Sequence, residues 1–243
     1  MLDQYNPEHI LFIDIETVPA IERYDMLPDA MKKLWDRKAE RLPRGDRLDT
    51  DSPRSPSEMY ERAGIYAEFG KIICISTGIV RNQTLWIKSY SGNDEKQVLI
   101  EFSALLNKAQ EKRFQYLCAH NGKEFDYPYL IRRMLIHGIP IPDILDISGK
   151  KPWEVNLLDT MELWKFGDYK SYTSLELLAA VFKIPTPKDD MEGQDVARVY
   201  WQDHNLERIV NYCQKDVITI VNILLKLQGK PVVPEKQIQY VGA

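Results

Sequence analysis

The first strong pattern in the chain is an unbroken apolar run, ILFI at residues 10–13, that passes into Asp14, Ile15 and Glu16. A short continuous run of this kind predicts a strand buried on both faces. KIICISTGIV and QTLWIKSY predict two more strands, joined by a turn at Arg81–Asn82. RFQYLCAHN predicts a fourth strand, and VNLLDTMEL a fifth strand or strand end. Helical spacing fills the intervals. It predicts helices over DAMKKLWDRKAERL, residues 94–109, KEFDYPYLIRRMLIHG and TSLELLAAVFKI, and a long last helix from Asn205 to Leu227. Gly138 stops the helix that has Pro128 in its first turn, and Gly229–Lys230–Pro231 stops the last one.

Strands first and strand–helix alternation afterwards predict an α/β fold, with a mixed central sheet of about five strands flanked by helices. One domain over residues 1–243 is expected, without internal repeats. Residues 20–62 differ in character and read as an inserted helix followed by the polar loop RGDRLDTDSPRSPSE. The segment carries Lys32, Lys33, Arg37, Lys38, Arg41, Arg44, Arg47 and Arg54. These are either a solvated face or a clamp on a polyanion.

Composition narrows the picture. At 243 residues with 44% hydrophobic and 28% charged positions, the chain is long and apolar enough for a sizeable core. The formal net charge of −4 excludes a bulk basic body, so any nucleic-acid contact must use local cations or metal ions. Cys74, Cys118 and Cys213 are far apart and suggest neither a zinc site nor a disulfide framework. They read as reduced thiols of a cytoplasmic protein. The N-terminal MLDQYNPEHI lacks signal-peptide features, and no run has the roughly 18 apolar residues of a membrane span.

The candidate chemistry lies in acids. Asp14 and Glu16, two apart on a strand, point to one face. Asp126 falls in the first turn of a helix that follows a strand end at His120–Asn121, where ligands gather in α/β sheets. Phe125 and Tyr129 flank it, either to stack on a base or ribose or as core aromatics. Tyr212 and Asp216, four apart, share a helical face beside an apolar stripe of Val217, Ile220, Val221 and Leu224. Each acid alone has an ordinary structural explanation. Together, four carboxylates without clustered His or Cys suit Mg²⁺ or Mn²⁺. Two such ions would offset the repulsion between the acids and serve in-line attack on a phosphodiester.

FIDIET, HNGKEFDYPYL and YCQKD resemble, in order, the three motifs of the DEDD 3′–5′ exonucleases. In particular, the chain resembles stand-alone proteins related to the exonuclease domain of family B DNA polymerases. KKPWE, LLDTMELW, SLELLAAVFKIPTPKDD and EGQDVARVYW carry the likeness along most of the chain. The resemblance implies a ribonuclease H-like fold. It also implies two-metal hydrolysis of single-stranded DNA to nucleoside 5′-monophosphates. On it, Asp14, Glu16, Asp126 and Asp216 are the metal-binding acids, and Tyr212 orients the attacking water, as in the DEDDy variant. The histidine variant would need His at position 211, which holds Asn211. Thr17 and Asn121 match positions near the terminal nucleotide, or else are local turn and cap residues. No polymerase domain is expected in a chain of this length. The alternatives are an exoribonuclease or oligonucleotide-degrading enzyme and, outside enzymes, a nucleic-acid end-binding scaffold.

Overall fold

A computed structural model of the chain describes residues 2–42, 55–110, 114–168, 172–185 and 191–242. Strand β1 (Ile10–Pro19) is followed by helices α1 (Asp29–Ala39) and α2 (Pro56–Met59) and a 3-10 turn at Tyr60–Ile65. Next come β2 (Gly70–Arg81), β3 (Thr84–Ser91), α3 (Glu95–Gln110), β4 (Tyr116–Ala119) and α4 (Asp126–Ile136). The chain continues through β5 (Leu157–Asp159), α5 (Thr160–Lys165), α6 (Leu175–Val181), α7 (Val196–Trp201), α8 (Leu206–Leu227) and β6 (Ile238–Tyr240).

The sheet order is β5-β4-β1-β2-β3-β6. β2 runs antiparallel to β1 and β3, whereas β4, β5 and β6 each run parallel to their inner neighbours. The expected mixed sheet is present with one strand more than expected. β6 has three residues laid parallel along Leu85–Ile87 of β3, too few for a period-two pattern to register. The hairpin turn falls on Asn82–Gln83, both at positive φ (48° and 62°), one residue beyond the expected Arg81–Asn82. Two left-handed residues give the primed turn that matches strand twist.

β1 sits centrally, so both its faces are covered. Leu11, Ile13 and Ile15 pack in one cluster with Leu99, Phe102 and Tyr127 of α3 and α4. Ile10 and Phe12 pack on the other face with Val217, Ile220 and Leu224 of α8. Alternation therefore aims Asp14 and Glu16 at the α8 side. Each fully buried apolar side chain of the run contributes about 1.5–3 kcal/mol. That stabilisation opposes the cost of burying the acids. Helix α8 approaches β2 closely at Gly78, where an added Cβ would lie 2.7 Å from Val217 Cγ1.

Helix α1 is amphipathic about Trp35. The indole is fully buried against Tyr60 and Phe69, and its N–H donates to the Pro56 carbonyl at 2.7 Å. Of the expected cations, Lys32 and Lys38 lie over the rings of Tyr24 and Tyr66, while Lys33, Arg37 and Arg41 point away from that core. Arg44, Arg47, Arg54 and most of the expected polar loop lie outside the described residues.

Candidate active site

A cleft of about 1020 Å³ opens at the C-terminal end of β1, and Asp14, Glu16, Asp126, Tyr212 and Asp216 all line it. Three elements deliver them. β1 presents Asp14 and Glu16 on one face. Asp126 is the first residue of α4, two positions later than the helix start expected near Glu124. Its carboxylate accepts hydrogen bonds from its own N–H and from the N–H of Ile15, so the α4 acid is tied to β1 between the two strand acids. Tyr212 and Asp216 share a face of α8, and their side chains are hydrogen-bonded to each other.

The electrostatics follow from the packing. Burial first, then the charges of Asp216 and Asp126, hold the Asp14 carboxyl well above the usual carboxylate range. Burial and the charge of Asp14 do the same for Glu16. Asp126 is pushed up to about 7, by burial first and by the charges of Asp159 and Asp216, against its two backbone hydrogen bonds. The Tyr212 phenol is driven far up by burial and by Asp216, Glu16 and Asp14. The acids therefore repel one another across one shared space, and a cation there would relieve them.

The donor chemistry fits a hard divalent cation. Ligand atoms of Asp14, Glu16 and Cys213 lie within 4.8 Å of one another. Of these, Cys213 is a neutral donor: burial pushes its thiol up, and Sγ–H donates to Asp14 Oδ2 at 3.3 Å. A protonated thiol is a poor ligand, which leaves oxygens. Cys213 is a site residue that the sequence pattern did not single out. It lies three before Asp216 on α8, a spacing that places both on one helix face.

Thr17, Asn121 and Phe125 also line the cleft. Asn121 adopts a left-handed conformation (φ 58°), and its buried Oδ1 has no hydrogen-bond partner among the described residues. Tyr129 is placed elsewhere. It is 2% exposed, packs in the core and does not line the cleft, so no ring face is left for a base. Its hydroxyl hydrogen-bonds Thr17 and donates to the Gly64 carbonyl. Of the two readings open for this aromatic pair, the core one describes Tyr129, while Phe125 reaches the cleft.

Asp159 is a second residue missed from sequence. Its buried carboxylate caps α5 through the Met161 N–H (2.9 Å) and accepts from the N–H groups of Asn121 (2.9 Å) and Lys123 (3.1 Å). It thereby fixes the loop that presents Asn121. His120, kept neutral by burial, bonds Thr160 Oγ1 and the Thr173 carbonyl, both at 2.9 Å. That bridge seats the neighbouring Tyr172 on the cleft wall.

Residues 65–230 match the model of a family described as a predicted 3′–5′ exonuclease related to the exonuclease domain of PolB. That span contains Asp126, Tyr212 and Asp216; Asp14 and Glu16 precede it. No curated protein matches the chain. Among solved structures, the chain is similar to the family B DNA polymerase of the hyperthermophilic archaeon Pyrobaculum calidifontis. The TM-score is 0.56 and the identity 14%, over 90% of this chain and 24% of the polymerase. The likeness bears on the fold, which is ribonuclease H-like, and this chain spans about a quarter of the polymerase. With most of its length matched by the family model, the chain belongs to the family of predicted 3′–5′ exonucleases related to the PolB exonuclease domain.

Proposed function

We propose that the protein is a metal-dependent 3′–5′ exonuclease of the DEDDy type that degrades single-stranded DNA to nucleoside 5′-monophosphates. The observation that carries this reading is the meeting of Asp14, Glu16, Asp126 and Asp216, from β1, α4 and α8, in one cleft beside Tyr212. A scaffold that only bound strand ends would gain nothing from a cluster of mutually repelling carboxylates.

In this reading Asp14, Glu16, Asp126 and Asp216 hold two divalent ions, Mg²⁺ or Mn²⁺. Bound there, such ions polarise the phosphate and acidify a water molecule. The protein's own residues do the rest. Tyr212 keeps its proton, so it does not act as a base at neutral pH. Its O–H donates to Asp216, which leaves the phenol oxygen free to accept from the attacking water and fix its direction. The water oxygen bonds to phosphorus as the bond to the 3′ oxygen breaks; the water gives up its protons, one to the 3′ oxygen by way of solvent and one to bulk water. Asn121 Oδ1, a buried acceptor whose lack of a partner costs about 1–3 kcal/mol, accepts from a sugar hydroxyl of the terminal nucleotide. Thr17 and Phe125 form the wall beside it. The terminal nucleotide must leave a duplex to reach the acids, hence the single strand.

The test is digestion of 5′-labelled single-stranded DNA, duplex DNA and RNA with Mg²⁺, with Mn²⁺ and with chelator. A metal-dependent ladder shortening from the 3′ end of the DNA single strand, abolished in Asp14→Ala, is expected. Faster shortening of RNA would transfer the reading to an exoribonuclease. No shortening of any strand would refute it.

A further inference from the structure

We propose that Arg62 is the phosphate-gripping residue of the cleft. It holds a backbone phosphate upstream of the scissile one, while Ile65 packs against the adjoining nucleotide. This rests on the exonuclease reading above.

Among the described residues Arg62 is the one Lys or Arg that lines the cleft. Five carboxylates share that space: Asp14, Glu16, Asp126, Asp216 and Glu61. A nucleic-acid strand brings one negative charge per nucleotide. Metal ions on the four acids would answer the charge of the scissile phosphate, but not that of the next one. Arg62 is exposed and forms no ion pair among the described residues, whose pairs engage Arg23, Lys123, Arg133, His137 and Arg198. A guanidinium so placed offers a planar fork of donors that matches two phosphate oxygens.

Local geometry aims it. Arg62 and Ile65 stand three apart in the 3-10 turn Tyr60–Ile65. Side chains three apart in such a turn lie over one another, and both line the cleft. Ile65 is 45% exposed there, an apolar surface beside the charge. The two residues between them face the other way. Ala63 is buried in the cluster of Trp35, Tyr60 and Phe69. Gly64 lies flat on the end of β1, where a Cβ would come within 2.9 Å of the Val18 carbonyl carbon. The Gly64 carbonyl also accepts from the Tyr129 hydroxyl at 2.7 Å. The turn is thus held on three sides, so Arg62 meets a ligand with little backbone entropy left to lose. The segment 20–62, read from sequence as an insertion, thereby contributes to the site, because the turn at its end brings a cation to the cleft.

The experiment uses the full chain with Arg62→Ala, Arg62→Lys and Arg62→Glu. Two substrates are compared: a labelled DNA single strand, and the p-nitrophenyl ester of thymidine 5′-monophosphate, which has no upstream phosphate. For Arg62→Ala on the strand, KM is expected to rise about tenfold with kcat unchanged. Arg62→Lys recovers only part of the loss, because it restores the charge without the fork, and Arg62→Glu deepens it, while turnover of the ester stays at the wild-type level. Binding of the strand in Ca²⁺ should lose about 0.7 from its log–log salt slope, the share of one phosphate contact on a single strand. If the wild type shortens the strand but Arg62→Ala matches it in KM and salt slope, the assignment is wrong and Arg62 is a solvated surface cation. A fall in kcat on both substrates would also overturn it, in favour of a contact to the scissile phosphate. If the wild type itself cuts neither substrate, the exonuclease reading fails first and takes this proposal with it.

Discussion

The hydroxyl of Tyr129 donates a 2.7 Å hydrogen bond to the carbonyl oxygen of Gly64. One bond thus joins α4, which begins with Asp126, to the turn that carries Arg62 and Ile65. The Thr17 hydroxyl meets the same phenol, so the C-terminal end of β1 belongs to the junction.

Tyr129→Phe keeps the ring and removes the link, leaving a buried carbonyl unpaired. A loss of about 1–3 kcal/mol is expected from urea unfolding, with kcat on single-stranded DNA little changed. If instead stability is untouched while KM rises steeply, Tyr129 is a substrate contact after all.

The acids predict an inverted pH dependence for the metal-free protein. Asp126 is pushed up to about 7 in the folded state, against about 3.9 in an unfolded chain. Between those values the folded state holds more protons, so stability from this group is full below about pH 4 and is lost as pH rises towards 7. The ceiling is about 4 kcal/mol, at about 1.4 kcal/mol per pH unit; the raised Asp14 and Glu16 act in the same direction. Asp126→Asn imitates the protonated acid. Its melting temperature in chelator should therefore fall less than that of the wild type between about pH 5 and about pH 8. Equal slopes would mean that Asp126 ionises freely in the fold.

Tyr212→Phe separates positioning from proton transfer. Loss of a general base or acid typically costs 10²–10⁴-fold. A phenol held protonated at neutral pH should cost less than about 100-fold in kcat, with KM and the alkaline limb of the pH–rate profile preserved. Disappearance of an alkaline limb in the variant would assign Tyr212 a titrating role.

Asp159→Ala removes a helix cap worth about 0.5–2 kcal/mol along with two loop bonds, and it frees Asn121. Lower stability in urea and a raised KM are expected together, with Asp159→Asn recovering part of both because one carbonyl acceptor remains. A variant that loses stability while keeping its KM would limit Asp159 to the architecture of the loop.

Much of the site was legible in the sequence because β1 and α8 obey simple periods. The parity of residues 10–16 put Asp14 and Glu16 on one face, and the four-residue spacing put Tyr212 with Asp216. Other features depend on tertiary contacts that no local pattern encodes. Phe125 and Tyr129 are equivalent aromatics in sequence, and only the packing of α4 on the turn at Gly64 sends one to the cleft and the other to the core. Asp159 takes its N–H donors from the first turn of α5 and from a loop 36 to 38 residues upstream. Cys213 reads as a core thiol until its proximity to Asp14 is known. The short α7 and β6 are too brief for a period to register.

Helix α8 carries Tyr212 and Asp216 in its first half and the apolar anchors Val217 to Leu225 in its second, without interruption over 22 residues. On the proposed function, catalysis and cohesion therefore depend on one rigid rod. Sliding it by a single residue would rotate Asp216 through about 100°, so partial loosening is incompatible with a working centre. Heat inactivation should then coincide with global melting, and the amides around Asp216 should exchange with solvent as slowly as those of the deepest interior.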